Sequence, residues 1–213
     1  MDITWYGQSC FRLKYKAAAI ITDPYDPEIG LKVPRQRPEI VTISHEHADH
    51  NYIRACGGEP RVFRGPGEYE VSGIFLFGIQ TFHDRRNGRD RGNNTAYLIE
   101  TEGLAVCHLG DLGHVPTQAQ LEQLSGLDVL LIPVGGGGGS LNAAQAAEVV
   151  SLLSPRYVVP MHYQLPGLKI KLDPVAKFLQ EMGSPKVAPQ ESLRVVSTSE
   201  PQETQIVLLE LKQ

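Results

Sequence analysis

The feature that most constrains this chain is the run His-Glu-His-Ala-Asp-His at positions 45–50. The chain has seven histidines, and three of them fall within these six positions. A helix would place His45 and Asp49 on one face and His47 on the other. A tight loop leaving a strand over residues 40–44 can instead bring His45, His47, Asp49 and His50 together. Imidazole nitrogens and carboxylate oxygens are the usual non-thiolate ligands of zinc. The run therefore predicts a metal-binding loop.

Short runs of β-branched, aromatic and aliphatic residues, separated by Gly, Pro and Asp, are typical of strands. In the first half of the chain they predict strands over residues 11–15, 19–22, 40–44, 61–64, 74–82 and 95–100. In the second half they predict strands over residues 104–109, 129–134, 157–160 and 205–211.

Helices are indicated by their boundary residues. Thr117 with Gln120, and Asn142 with Gln145, each fit a capping box. Asp173 followed by Pro174 predicts a further helix with Asp173 as its N-cap, and a shorter helix is predicted over about residues 49–55. Because strands alternate with helices and no linker is evident, we predict an α/β sandwich with helices outside two sheets, in one domain over residues 1–213.

Charge and cysteine content exclude several classes of protein. The net charge of −4 and the pI of about 6.0 argue against binding of nucleic acid or membrane surfaces through bulk charge. Three cysteines without CxxC spacing do not predict a disulfide framework. The N-terminus lacks the features of a signal peptide, and no apolar run approaches the roughly 20 residues of a membrane span. These features predict a cytoplasmic protein.

Two segments allow more than one interpretation. Residues 85–91 contain four arginines, which are typical of a solvated loop but would also attract anionic substrates. Residues 135–139 are five consecutive glycines, which form either a flexible connection or a mobile rim beside an active site. The glycine run is not a phosphate-binding P-loop, because no Gly-Lys-Ser/Thr follows it.

The sequence resembles the metallo-β-lactamase superfamily, whose signature is His-x-His-x-Asp-His after a strand. The resemblance continues through residues 7–11, 22–25, 81–84, 108–111 and 160–163. In detail it is similar to the small single-domain branch related to the ascorbate-6-phosphate lactonase group. This resemblance implies a four-layer αββα sandwich, with metal ions at the mouth between the two sheets.

The resemblance also implies a set of metal ligands. His45 and His47 would bind the first metal, Asp49, His50 and His162 the second, and Asp111 would bridge the two. Either His83 or His108 would be the third ligand of the first metal, and the family pattern favours His83. The remaining candidates would support a ligand or reach the substrate: Asp23, His108, Arg91 and Asn94. Many relatives have His where Gln8 stands, so a role for that His does not carry over.

The activity implied is that of a hydrolase with two divalent ions, Zn²⁺ first and Mn²⁺ or Fe as alternatives. A hydroxide bridging the metals would attack an ester, lactone or phosphodiester bond, and Asp49 or Asp111 would pass a proton to the leaving group. With two carboxylates, the hydroxide and neutral histidines, the site would carry roughly +1, which favours an anionic small molecule. The alternatives are a nuclease, for which the chain lacks an RNA-binding arm, a non-catalytic metal-binding module and a di-iron protein, to which His47 is unsuited.

Overall fold

The computed structural model describes residues 1–16, 18–197 and 203–212, and its strands form two mixed sheets. The strands of the first sheet are β1 (Asp2–Trp5), β2 (Phe11–Lys14), β3 (Ala19–Thr22), β4 (Ile40–Ile43), β5 (Arg61–Arg64) and β12 (Leu193–Arg194). They lie in the order β12-β1-β2-β3-β4-β5. Neighbours from β12 to β3 are antiparallel, whereas β3, β4 and β5 run parallel.

The second sheet contains β6 (Gly67–Val71), β7 (Ile74–Phe82), β8 (Asn93–Thr101), β9 (Leu104–His108), β10 (Val129–Pro133), β11 (Tyr157–Met161) and β13 (Gln205–Ile206). Its order is β13-β11-β10-β9-β8-β7-β6. The half from β6 to β9 is antiparallel, and the half from β9 to β13 is parallel. The α/β class with two sheets, predicted from the sequence, is confirmed.

Among the residues that the structure describes, three α-helices lie in the second half of the chain: α1 (Gln118–Gln123), α2 (Ala143–Leu153) and α3 (Val175–Glu181). The capping boxes at Thr117 and Asn142 are both confirmed, each with the predicted glutamine at the third helical position. Helix α2 buries Ala146, Val149 and Val150 along one face, and α2 packs against α3. The helical spacing of these residues directs them into the core beside the fully buried β10.

The main core lies between the sheets. Side chains of β2, β3 and β4 in the first sheet join those of β7, β8 and β9 in the second in one buried cluster, which includes Leu13, Ile20, Ile40, Leu76, Tyr97 and Val106. A smaller cluster covers the other face of the first sheet, where Ile21, Val41 and Ile43 pack with residues of two connecting segments, Ile29, Leu31, Leu168 and Leu172. Both faces of β3 and β4 are therefore covered, which explains their continuous apolar sequences.

One predicted helix and one predicted N-cap are wrong. Residues 49–55 form a tight turn ending in the 3₁₀ helix Ile53–Ala55, because the backbone N–H of Tyr52 donates to the Pro24 carbonyl rather than to a helical partner. Pro174, rather than Asp173, is the N-cap of α3. The Asp173 carboxylate instead accepts a hydrogen bond from Lys177 Nζ at 2.7 Å.

The predicted strands agree with the structure to within a few residues, with two kinds of exception. Strands β1, β6 and β12 were not predicted, and the predicted strand over 205–211 is reduced to β13 and an isolated bridge between Gln190 and Leu209. In the described part of the chain, no helix combines the length and apolar character that crossing a bilayer requires.

Candidate metal centre

Four loops, each following the carboxyl end of a strand, meet at one edge of the two sheets. Residues 45–50 follow β4 of the first sheet. His83, Asp111 and His162 follow β7, β9 and β11 of the second sheet. His162 has a positive φ of 51°, which turns the chain sharply after β11.

The converging side chains form two groups. One contains His45, His47 and His83, the other Asp49, His50, Asp111 and His162, and within each group one potential ligand atom per residue lies within 4.8 Å of the others. Asp111 lies at the junction of the groups. Its Oδ2 is 3.3 Å from Nε2 of both His50 and His162 and 3.4 Å from His83 Nε2.

Several polar atoms of these groups are buried without a hydrogen-bond partner among the described residues. They include Nε2 of His45, His50 and His162, and Oδ1 of Asp111. Buried polar atoms without partners are rare in folded proteins, since each has lost its hydration. Imidazole nitrogens and carboxylate oxygens converging in this way fit divalent metal ions, which would supply the missing partners.

The charge state of the group also suits a cation. Burial alone would raise the pKa of Asp111, but the facing His162 and His50 outweigh it and lower that pKa. The pKa of Asp49 is likewise lowered, because His50 and His162 outweigh its burial. In contrast, burial and the nearby His50 lower the pKa of His45 to about 3, so its ring is neutral near pH 7. Two anionic carboxylates beside a neutral imidazole are a suitable ligand set for a divalent ion.

Asp23 orients two of the histidines, His50 directly and His45 through Ser44. It is fully buried, and its Oδ2 lies 2.9 Å from His50 Nδ1. The same carboxylate accepts hydrogen bonds from the Ser44 N–H and hydroxyl, and the Ser44 Oγ lies 2.9 Å from His45 Nδ1. These bonds leave Nε2 of both rings directed into the group, as in carboxylate–histidine–metal arrangements. The predicted supporting role of Asp23 agrees with this geometry; the part played by Ser44 was not predicted.

His83 and His108 occupy different places. His83 joins His45 and His47, with ring centroids 4.6 and 5.1 Å away, respectively. His108 is fully buried, donates from Nε2 to the Ser9 carbonyl at 2.8 Å and accepts the Gly110 N–H at Nδ1. Since both nitrogens of His108 are engaged, the geometry favours His83 as the third ligand; its ligation remains a prediction.

Asn94 was predicted to support a ligand or to reach the substrate. It is fully buried within β8, so the geometry favours the supporting role. Its Oδ1 accepts the Asp111 N–H at 2.9 Å, while its Nδ2 donates to Thr81 Oγ1 and to the Leu109 carbonyl. Asn94 therefore fixes the backbone that presents the Asp111 carboxylate.

Gln8 supports the site from another direction. It is fully buried, and its Nε2 donates to Asp49 Oδ2 at 3.3 Å. Its backbone carbonyl accepts the His162 N–H at 3.2 Å. This role of Gln8 was not predicted from the sequence.

Asp84 organises the arginine-containing loop, residues 85–91. Its carboxylate accepts hydrogen bonds from four backbone N–H groups, those of Arg86, Gly88, Asp90 and Arg91, at 2.7 to 3.0 Å. These bonds lower the pKa of Asp84 against the effect of burial. The loop is therefore held in a defined conformation next to His83.

Replacing Asp84 by alanine is expected to loosen this loop without unfolding the protein. The substitution removes the acceptor of both amides, so amide exchange at Gly88 and Arg91 should accelerate by at least about tenfold. Hydrogen exchange resolved to single amides measures the effect. Asp90→Ala removes the same charge from the same loop and should leave these two amides protected. Equal protection in all three proteins would contradict the organising role of Asp84.

The glycine run at 135–139 is closely packed, which disfavours the interpretation as a flexible connection. A Cβ atom on Gly135 would lie 2.2 Å from the His162 carbonyl oxygen, and one on Gly139 would lie 2.7 Å from the His83 carbonyl oxygen. Gly139 also has a φ of 103°, which side chains other than glycine rarely adopt. The run therefore lets the backbone approach two segments that carry candidate ligands.

Replacing Gly135 by alanine is expected to destabilise the protein by about 1–3 kcal/mol, the usual cost of overpacking. The backbone of Gly135 has no positive φ, so the effect comes from close contacts with the backbone of His162 and Tyr163. Thermal unfolding measures it. Gly57→Ala is the control, because the nearest atom to its Cβ would be the flexible Arg35 Nε at 3.3 Å. Equal unfolding temperatures for the two variants would show that the backbone at His162 can move to accommodate the added methyl group without loss of stability.

Two cavities adjoin the candidate metal centre. The smaller, of about 270 Å³, is lined by His47, Asp49, His83, Asp111 and His162 together with Arg91 and two of the glycines. The larger, of about 370 Å³, extends past His45 and His47 to Arg64, Gln80 and Thr95. Volumes of this size accommodate small molecules.

Comparison with known proteins gives consistent results. Residues 2–162 match the model of the "Beta-lactamase superfamily domain" family. A crystal structure from Thermotoga maritima, described as a candidate Zn-dependent hydrolase of the metallo-β-lactamase superfamily, is 36% identical; the match covers 98% of this chain and 99% of that one, with a TM-score of 0.79.

Two curated archaeal relatives carry the name UPF0173 metal-dependent hydrolase. The one from Methanoculleus marisnigri is 27% identical over 222 residues, which cover 92% of this chain and 97% of the relative. The one from Thermococcus kodakarensis is 25% identical over 191 residues, covering 76% of this chain and 84% of the relative.

Proposed function

The chain belongs to the metallo-β-lactamase superfamily and is a metal-dependent hydrolase, and we propose that it uses two zinc ions to hydrolyse an ester, lactone or phosphodiester bond of an anionic small molecule. The observation that carries this proposal is the pair of adjacent ligand groups that meet at Asp111. Three ligands in one group and four in the other are sufficient for two ions, and each group borders a cavity.

Each residue has a distinct part in this proposal. His45, His47 and His83 would hold one ion and Asp49, His50 and His162 the other, with Asp111 at the junction of the two groups. Bound zinc supplies Lewis-acid chemistry, which acidifies water and polarises the attacked oxygen. Asp23 and Ser44 keep the rings of His50 and His45 oriented, and Asn94 keeps Asp111 in place.

In this proposal, Asp49 moves the proton. Its side chain is 18% exposed, the greatest exposure among the four members of its group, and it borders the smaller cavity. Gln8 donates to Oδ2, so Oδ1 is the oxygen that would receive a proton and pass it to the leaving group. Asp111 is nearly completely buried and is better suited to holding the ions than to exchanging protons with solvent.

A substrate screen tests the proposal. The metal-loaded protein is assayed against a lactone, a phosphodiester, a thioester and a carboxylic ester, with His50→Ala as control and with RNA added to detect nuclease activity. Elemental analysis of the same preparation should find about two ions per chain and distinguish zinc from manganese and iron. Turnover that survives His50→Ala, or a fully active protein without metal, would refute the two-metal proposal.

A further inference from the structure

Two arginines of this loop, Arg89 and Arg91, have guanidinium groups without a hydrogen-bond or ion-pair partner among the described residues, and Arg91 is the one of the two that lines the cavities at the candidate metal centre. Arg85 donates to Gln145 Oε1 at 2.6 Å, and Arg86 pairs with Asp90 at 3.0 Å. Among the described residues, the Arg91 guanidinium makes no hydrogen bond or ion pair, not even with the nearby Asp49. It is also the arginine of the loop that borders the candidate metal centre.

The position of Arg91 is set by two independent features. Its backbone N–H donates to Asp84 at 2.7 Å, which fixes the point where the side chain begins. The side chain then passes the glycine run: a Cβ on Gly139 would lie 3.4 Å from Arg91 Cγ, and one on Gly138 would lie 4.0 Å from Arg91 Nη2. The absence of side chains at these glycines leaves space around the guanidinium.

Arg91 stands at the junction of the two cavities. Together with His47 it lines both of them, whereas Asp111 and His162 line only the smaller and Gln80 and Thr95 only the larger. A molecule that reacts at the metal centre and extends into the larger cavity must therefore pass the guanidinium. Arginine presents a planar set of donors that matches carboxylate and phosphate oxygens in pairs.

The surrounding charges favour an anion at this point. The cations of Arg85, Arg86 and Arg64 are each hydrogen-bonded to other side chains, the last to Glu46. The carboxylates of Asp49 and Asp111 are directed to the ligand groups, where bound ions would neutralise them. The positive charge of Arg91 would then remain unopposed.

We propose that Arg91 binds a carboxylate or phosphate group of the substrate at the junction of the two cavities. It thereby selects small molecules that carry an anion close to the bond that is hydrolysed. This inference rests on the proposed function, because it assumes that the bond is broken at the candidate metal centre. It assigns the specificity to one side chain rather than to the overall charge of the loop.

The kinetic test uses mono(4-nitrophenyl) glutarate, which is anionic, and its methyl ester, which is neutral and otherwise matched. Arg91→Met should lower kcat/KM for the anionic ester roughly ten- to hundredfold, the range for a hydrogen bond to a charged group, and change the neutral ester by less than about threefold. Arg91→Lys retains the charge but not the planar pair of donors. Its kcat/KM for the anionic ester should therefore lie between those of the unaltered protein and Arg91→Met. Arg89→Met removes the same charge from the same loop and should leave both esters unchanged.

A binding measurement separates this inference from the proposed function. Calorimetry of the zinc-loaded protein compares the dicarboxylates malonate, succinate, glutarate and adipate with butyrate. The best dicarboxylate should bind more tightly than butyrate, and Arg91→Met should remove that advantage. If this pattern appears but neither these esters nor any compound of the substrate screen is hydrolysed, the proposed function fails and the anion site remains.

Three results would overturn the assignment of Arg91. One is an equal loss of activity on both esters, which would indicate a structural effect. Another is an equal effect of Arg89→Met, which would indicate bulk charge. The third is hydrolysis of either ester together with unchanged dicarboxylate binding in Arg91→Met, which would leave the hydrolase function standing without this anion site.

Discussion

Asp111→Ala is expected to lower hydrolytic activity at least about a thousandfold while the protein remains folded. The Asp111 Oδ2 contacts histidines of both ligand groups, at 3.3 Å from His50 and His162 and 3.4 Å from His83. A carboxylate can contact two cations at once, which a neutral imidazole cannot. Its removal leaves the repulsion between two ions unscreened, so both bind more weakly. Metal-ion catalysis contributes several kcal/mol, and each 1.36 kcal/mol is a factor of about ten in rate.

The fold should survive this substitution, because the core between the sheets does not depend on Asp111. Asp111→Asn is the more conservative companion: it retains the shape and the backbone N–H donated to Asn94 Oδ1, but loses the charge. Both variants should lose metal, and the asparagine variant should be closer to the unaltered protein in thermal stability.

Asp128→Ala is the matched control. Asp128 is also an aspartate in a connecting segment. Its carboxylate accepts the Ala105 N–H at 2.9 Å, near the end of β9 that lies away from Asp111. If Asp111 acts only through its turn, the two alanine variants will behave alike. Metal content, unfolding temperature and turnover are measured on one preparation of each. Full metal occupancy with near-normal turnover in Asp111→Ala would contradict the bridging role.

The candidate ligands could be predicted from the sequence because their chemistry is concentrated in short motifs at strand ends. The apolar runs of β3 and β7 were predicted with the bounds that the structure shows, since their flanking residues mark the ends clearly. Strand β6 was missed because it lies at a sheet edge, where Glu68 and Glu70 are exposed and the sequence is only weakly apolar.

The contacts that orient the ligands could not be predicted, because they join residues far apart in sequence. Asp23 reaches His50 across 27 positions, and Gln8 reaches Asp49 across 41. The turn after Asp49 shows the same limit: local propensity favours a helix there, but the contact of Tyr52 with Pro24 and the burial of His50 hold it in a different shape. Tertiary contacts override weak helix propensity in so short a segment.

Removing the metal is expected to lower the unfolding temperature by about 8–16 °C. A ligand present at about 1,000 times its Kd stabilises the folded state by about 4.1 kcal/mol. For a protein of about 150–250 residues, each kcal/mol corresponds to a shift of about 2–4 °C. The structural reason is that metal loss leaves Nε2 of His45, His50 and His162 buried without partners, and Oδ1 of Asp111 with them.

The two carboxylates should increase the loss of folding stability on metal removal beyond the loss that the unpartnered histidines alone would cause. Oδ2 of Asp49 and Oδ2 of Asp111 both lie 3.3 Å from His50 Nε2, so two anions face one imidazole. One histidine cannot replace two divalent ions as the compensating charge for these two carboxylates. Burial of incompletely compensated charge is among the larger destabilising effects in proteins.

Differential scanning calorimetry with EDTA, and again after zinc is restored, measures the predicted shift. Asp128→Ala should show the full response, because its carboxylate lies outside both ligand groups. His50→Ala and Asp111→Ala should unfold at nearly the same temperature with and without EDTA, since they have already lost metal affinity. A fully loaded native protein whose unfolding temperature does not change when the metal is removed would show that the converging side chains are stable without it. The metal would then contribute to activity alone.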